Sequence, residues 1–230
     1  MIFRCIMFWV FFTLMTVIIG VLGIITLGFF FQASNFYIVD KWCRLMTWSC
    51  SCICNIKVVV KGLENLPKGG YIAVSKHQSM WETLFFPTVM KNAAAVVKRE
   101  LVFIPIYGLY LYFYGMVMID RSKGARILNH MIQIVKERMQ QGRVVFIFPE
   151  GTRVKPGVIA PIKPGIAAIH NEMPEVPIVP VYLDSGHVWP RKSLYIRSGT
   201  ITVSFKKPII GACSKEELLQ KLQNEINSED

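Results

Sequence analysis

Between Cys5 and Val39 the chain carries no charged side chain, and from Ile6 to Phe31 it is apolar apart from threonine and glycine. About 20 such residues suffice for a helix to cross the hydrocarbon of a bilayer. This run therefore demands a membrane attachment before any other element is considered. Gly20, Gly23 and Gly28 are tolerable in a lipid-embedded helix, where the backbone is satisfied internally. A cleavable signal peptide has an apolar core of only about 7–15 residues followed by a small-residue cleavage site. The run is too long for that and lacks such a site. Two forms remain: a single span, or a bent pair of helices lying in one leaflet with Gly20 to Gly28 at the bend. Lys41, Arg44, Lys57 and Lys61 follow the run while Arg4 alone precedes it, which places the C-terminal side on the cytoplasmic face if the run spans. Trp42 and Trp48 lie where interfacial aromatics settle.

The rest of the 230 residues suffices for one well-cored domain. Its charge is lopsided, with 26 basic against 15 acidic residues and a net charge of +11. A basic surface next to an anionic leaflet gains about 1 kcal/mol per well-placed lysine or arginine. Nucleic acid is the other usual partner for such a charge, but no basic-aromatic repeat or zinc finger is present, so no nucleic acid is expected. Four of the six cysteines, Cys43, Cys50, Cys52 and Cys54, are spaced C-x6-C-x-C-x-C without a nearby histidine. Zinc sites use two spaced pairs or cysteines with histidine. These residues read as small apolar packing groups, with no metal expected, and a reducing cytosol would leave them as thiols.

Residues 40–56 look like a helix or helices along the interface. Beyond them, short apolar runs alternate with longer amphipathic ones. The strands expected are Lys57–Lys61, Tyr71–Ser75, Ala94–Lys98, Met116–Ile119, Val144–Phe148, Ile178–Leu183 and Thr200–Phe205. Several are unbroken Val/Ile/Phe runs, as in strands buried on both faces. A helix is expected from Lys123 to Gln141, capped by Ser122 and ended by Gly142. A second follows the capping box Ser214-Lys-Glu-Glu217, and a third runs from Ser79 to Met90. Such alternation predicts a single α/β domain, residues 57–230, with a central mostly parallel or mixed sheet flanked by helices, preceded by an N-terminal membrane-anchoring segment, residues 1–56.

Two words carry chemistry. In His77-Gln-Ser-Met-Trp-Glu82 the histidine follows a strand and precedes a helix, the junction at which α/β sheets place their sites. His77 is a candidate general base, and Glu82 a partner that holds the other ring nitrogen and favours the imidazolium. Residues five apart on one straight helix point about 140° apart, so the pair works only with His77 in the loop and Glu82 in the first turn. Ser79-Met-Trp-Glu82 is equally a plain capping box, and one carboxylate has two oxygens with which to do both jobs. In Phe148-Pro-Glu-Gly-Thr-Arg153, Gly151 leaves backbone exposed on a turn after a strand, and Arg153 can fork onto phosphate oxygens. An ordinary turn with an exposed arginine has the same composition. Lys98 ends a strand and can reach the same anion, or belong to a solvated charge cluster. Tyr107, Tyr110, Tyr112, Phe113 and Tyr114 suit either the wall of an acyl tunnel or ordinary core.

Taken together and in order, these words resemble the glycerolipid acyltransferases, specifically the 1-acyl-sn-glycerol-3-phosphate (lysophosphatidic acid) acyltransferases. The family pattern is His-x4-Asp, a Lys-x-Glu-Leu…Pro…Gly block, Phe-Pro-Glu-Gly-Thr-Arg and a Val-Pro-Ile-Val-Pro strand. Here they stand as His77…Glu82, Lys98-Arg-Glu-Leu101…Pro105…Gly108, Phe148 to Arg153, and Val176-Pro-Ile-Val-Pro180. The resemblance implies that His77 deprotonates the 2-hydroxyl of a lysophospholipid, whose oxygen attacks the thioester of acyl-CoA or acyl-carrier protein without a covalent acyl-enzyme. It implies that Lys98 and Arg153 hold the phosphate, that Glu150, Gly151 and Thr152 complete that pocket, and that no metal or other cofactor is needed. The absence of a Gly-x-Ser-x-Gly elbow agrees with direct transfer. One departure is Glu82, where the family more often has aspartate. The alternatives are another lyso-lipid acceptor or a non-catalytic lipid-binding protein of the same fold.

Overall fold

The computed structural model describes residues 1–27, 33–90, 92–104, 107–119 and 125–229. Seven strands make one sheet: β1 (Ile56–Lys61), β2 (Ile72–Ser75), β3 (Ala94–Lys98), β4 (Val117–Ile119), β5 (Val145–Ile147), β6 (Ile178–Leu183) and β7 (Gly199–Phe205). Each falls on one of the apolar runs expected to be extended. The order across the sheet is β1-β7-β6-β2-β5-β3-β4. Strands β6, β2, β5, β3 and β4 run parallel, whereas β7 runs against β6 and carries β1 parallel to itself. The fold is thus the mixed, mostly parallel α/β sheet that the sequence predicts.

Helices cover both faces: α1 (Ile2–Leu27), α2 (Ala33–Cys54), α3 (Trp81–Val89), α4 (Tyr107–Phe113), α5 (Ala125–Gln140), α6 (Gly165–Glu172) and α7 (Lys215–Glu225). Alternate strand residues serve opposite layers, as the pleat requires. Ala73, Phe146, Val179 and Val181 pack towards α1, α2 and α3; Ile72, Val74, Val145, Ile147 and Ile178 pack towards α5, α6 and α7. Helix α5 ends at Gln140, and Gly142 beyond it takes a left-handed φ of +64°, with its N–H donating to the Met139 carbonyl at 2.9 Å. Its expected cap, Ser122, lies outside the described residues. Helix α7 has the capping box its sequence announces, with the Ser214 hydroxyl accepting from the Glu217 amide.

The described part of the uncharged N-terminal run lies in α1 and the beginning of α2, and residues 40–54, expected as a helix or helices along the interface, belong to the single helix α2. Ile2–Gly23 is long and apolar enough to cross a membrane. Helix α1 nevertheless lies along the rest of the molecule instead of projecting from it. The Cys5 thiol donates to the Ile196 carbonyl at 3.2 Å and Trp9 Nε1 to the Leu194 carbonyl at 2.7 Å. The Trp42 indole of α2 donates to Thr16 Oγ1 at 3.1 Å, and the Tyr110 hydroxyl of α4 to the Ile19 carbonyl at 3.2 Å. Of the glycines that the bent-pair form places at its bend, Gly20 and Gly23 sit inside α1, which stays helical to Leu27, and Gly28 lies outside the described residues. Gly23 is there because a Cβ at that position would come within 1.6 Å of the Tyr110 hydroxyl. The two helices and the sheet share a single core cluster that contains Cys5, Phe8, Met46, Cys50 and Cys54. Cys43, Cys50 and Cys54 line the buried face of α2, and among the described residues no group of three His, Cys, Asp or Glu side chains could hold a metal ion.

Phe8 is fully buried, with its ring 5.6 Å from that of Trp189 in the edge-on geometry aromatic pairs prefer. Phe8→Ala is expected to destabilise the sheet domain by about 3–5 kcal/mol. Urea titration in detergent followed by tryptophan fluorescence measures this. An unchanged midpoint would mean that α1 is only a tether.

Candidate active site

Three neighbouring parallel strands, β2, β5 and β3, deliver the polar residues to one edge of the sheet. His77 lies two residues beyond β2, Phe148–Arg153 leaves β5, and Lys98 closes β3. Adjacent parallel strands end together, so residues remote in sequence meet where the chain turns into loop.

His77 is in the loop and Glu82 is the second residue of α3, the one arrangement in which their spacing works. His77 Nδ1 lies 2.9 Å from Glu82 Oε1. The same oxygen accepts from the amides of Gln78 and Ser79, both at 2.7 Å, while Oε2 accepts from the Ser185 hydroxyl at 2.7 Å. Capping and ring orientation are thus done together, and by one oxygen instead of one each. The Glu82 side chain is fully buried, where a carboxylate needs such donors. The extra methylene relative to aspartate lets the carboxylate reach back from the helix to three consecutive residues, His77 to Ser79. With Nδ1–H directed at a carboxylate, Nε2 is left as the basic nitrogen. The ring also stacks on Phe148, with centroids 4.1 Å apart and planes 13° apart.

The second word holds the first. Glu150 Oε2 accepts from the His77 amide at 2.7 Å, and the Val154 amide donates to the His77 carbonyl at 2.6 Å. Glu150 therefore serves the expected phosphate pocket only by bracing it. Its carboxylate points at the His77 backbone, and an anion in contact would repel a phosphate. Burial pushes its carboxyl up to about 7, opposed by the His77 amide and the Lys76 ammonium and reinforced by Glu82. Gly151 takes φ +71°, a left-handed conformation natural to glycine. Arg153 has its Nε buried without a hydrogen-bond partner among the described residues, a donor waiting for an anion.

These groups line one cleft of about 1070 Å³. His77, Lys98, Gly151, Thr152 and Arg153 line its polar end. Thr16 and Gly20 of α1, Trp42 of α2 and Tyr107, Tyr110 and Tyr114 of the aromatic stretch line its apolar part. Pro105 of the Lys-x-Glu-Leu block lies outside the described residues. Gly108 is required by close packing, since a Cβ there would come within 1.7 Å of the Val102 carbonyl oxygen.

Sequence reasoning missed Ser185 and Gln78. Ser185 approaches from the turn after β6, and nothing in Asp184-Ser-Gly-His187 announces a partner 103 residues away. Gln78 Oε1 accepts from the Gly186 amide at 3.0 Å, and fixes that turn against the His77 loop. It also missed Arg191 and Lys192, which line the same cleft.

His77, with Nδ1 held by Glu82, and Arg153, with its Nε buried and unpartnered among the described residues, line one cleft of an α/β fold, an arrangement able to take a proton from a hydroxyl on an anionic molecule. A family model described as Acyltransferase matches residues 57–184. The chain is 34% identical over 184 residues to a 1-acyl-sn-glycerol-3-phosphate acyltransferase of Pseudomonas aeruginosa, covering 77% of this chain and 71% of that protein. It is 31% identical over 173 residues to the human 1-acyl-sn-glycerol-3-phosphate acyltransferase alpha, covering 74% of this chain and 60% of that one. In fold it is similar to the 1-acyl-sn-glycerophosphate (LPA) acyltransferase of Thermotoga maritima, with a TM-score of 0.81 at 22% identity over 98% of this chain and 92% of that one. The chain belongs to the acyltransferase family.

The Glu150 environment sets a pH dependence of stability. A carboxyl raised from 4.5 to about 7 by burial binds its proton more tightly in the folded state. Its contribution is complete below pH 4.5 and is lost as pH rises through 7, about 3 kcal/mol in all. Glu150→Gln, which keeps an acceptor for the His77 amide, is expected to flatten the melting temperature between pH 5 and 8 and to raise it at pH 8. A melting profile of the variant parallel to that of the parent protein would refute this.

Proposed function

We propose that this protein is a 1-acyl-sn-glycerol-3-phosphate acyltransferase, moving an acyl group from acyl-CoA or acyl-carrier protein to the acceptor's 2-hydroxyl and giving phosphatidic acid. The observation that carries this is the double tie between the His77 backbone and the Glu150–Val154 loop, which fixes the base relative to Arg153. Arg153 and Lys98 hold the acceptor phosphate. His77 Nε2 takes the hydroxyl proton as the oxygen attacks the thioester carbonyl, and Glu82 stabilises the imidazolium. The tetrahedral intermediate collapses by breaking its C–S bond. The departing sulfur receives the proton from His77, so the imidazole returns neutral and the carrier leaves as a thiol.

The apolar part of the cleft takes an acyl chain. It is walled by α1, whose opposite face exposes Ile6, Val10 and Leu14. That face beds in one leaflet, with Lys41 and Arg44 on the cytoplasmic side. A lyso-lipid then reaches His77 without leaving the bilayer.

His77→Ala is expected to lower kcat by about 10²–10⁴-fold, the contribution usual for a positioned base. Arg153→Ala should raise KM for the acceptor about tenfold or more while leaving KM for the thioester alone, since a charge-assisted hydrogen bond contributes about 1.5–3 kcal/mol. The assay is transfer of labelled acyl groups to 1-oleoyl-glycerol 3-phosphate in mixed micelles. Undiminished turnover by the His77 variant would exclude the imidazole as the base.

A further inference from the structure

The cleft is more cationic than one phosphate needs. Lys98, Arg153, Lys163, Arg191 and Lys192 all line it, and among the described residues no carboxylate does. Two of these cations balance a phosphate. The others include neighbours on the turn Pro190–Ser193, beyond the residues the family model matches.

That turn is built towards the site. Arg191 Nη1 donates to the main-chain carbonyl of Arg153, which fixes the guanidinium against the loop that holds the phosphate. Lys192 adopts φ +56°, a left-handed conformation unfavourable for a residue with a β-carbon. The turn is closed by the Ser193 amide on the Pro190 carbonyl at 3.3 Å and by Trp189 Nε1 on the Ser193 carbonyl at 3.2 Å. Strain held in place by packing is a mark of function. Lys163, Lys192 and Lys98 have no ion-pair partner among the described residues.

We propose that Arg191 and Lys192 are specificity-determining residues, which make the acyltransferase select a phosphate monoester over a phosphodiester lyso-lipid. A monoester carries between one and two negative charges at neutral pH on three free oxygens, and a diester carries one charge on two. Two further cations lining the cleft that Arg153 lines reward the second charge, and a zwitterionic headgroup brings an ammonium that they repel. The inference rests on the acyltransferase reading above.

The test compares kcat/KM for 1-oleoyl-glycerol 3-phosphate and for 1-oleoyl-glycerophosphoglycerol, a diester, in the same micelles, with both KM values for acceptor and thioester. Arg191→Gln and Lys192→Asn remove charge, and asparagine suits the left-handed position. The monoester preference is expected to fall about tenfold in each variant, through acceptor KM. Lys192→Arg should retain the preference. Equal losses on both acceptors, a rise confined to thioester KM, or weaker association with anionic vesicles at unchanged preference would each overturn the proposal. Should the parent protein transfer to neither acceptor, the acyltransferase reading itself fails, an outcome distinct from an active enzyme whose preference survives both substitutions.

Discussion

The site depends on how one residue's backbone is held. The His77 amide and carbonyl are both bonded to a loop 73 to 77 positions further on, through Glu150 and Val154. The loop that carries Arg153 is therefore the loop that sets the imidazole. A proton transfer loses its advantage when reacting atoms are misplaced by an ångström, and two short bonds at opposite ends of one residue leave little room for that. The ring is fixed from other directions, by Glu82 at Nδ1 and by Phe148 on its face. Base and clamp behave as one body.

Such a body needs buried charge, and its cost is managed differently at each group. Glu82 is fully buried and accepts from four donors, two of them amides at the start of its own helix, where the dipole also favours a negative charge. Glu150 has fewer partners, so burial dominates and its carboxyl is displaced upward. Lys76, between β2 and His77, is buried too. Its ammonium bonds to Asn227 Oδ1 at 2.7 Å, and burial pulls its pKa down against the opposing pull of Glu150. A cation and an anion thus flank the His77 peptide and offset one another at some distance.

What the sequence revealed divides along a physical line. The strands were legible because both faces of the sheet are covered, which forces unbroken apolar runs such as Val144–Phe148. His77, Glu82, Lys98 and Arg153 were legible because each lies within a few residues of a strand end, a position set by local pattern. Ser185, Gly186 and Arg191 were not, because their roles exist only once β6 lies beside β2. Glu150 was expected in the pocket from its neighbourhood in sequence, but the direction of its carboxylate depends on a distant amide, that of His77. Helix α1 was legible as apolar, yet no periodicity showed which stripe faces inward. Both its faces are greasy, one against protein and one outward.

That two-faced helix links the chemistry to its substrate. The inward stripe of α1 runs Cys5, Phe8, Phe12, Thr16, Ile19, Gly20 and Gly23, at the three- and four-residue spacing of neighbours along one side of a helix. Aromatics occupy the end that packs on Trp189, and small residues the end beside Tyr110. The helix is therefore fastened tightly at both ends, and between them Thr16 and Gly20 leave space in the cleft. A helix is about 10 Å across, so only that thickness separates the cleft from the exposed face carrying Val10 and Leu14. Packing α1 into the core in this way places the His77 ring at a fixed depth relative to whatever surface the outer face occupies. For an acceptor whose phosphate and acyl chain are themselves held at a fixed depth in a leaflet, that registration does part of the work of binding. On the proposed reading α1 is no free tether, because a flexible link would leave the depth of His77 undefined.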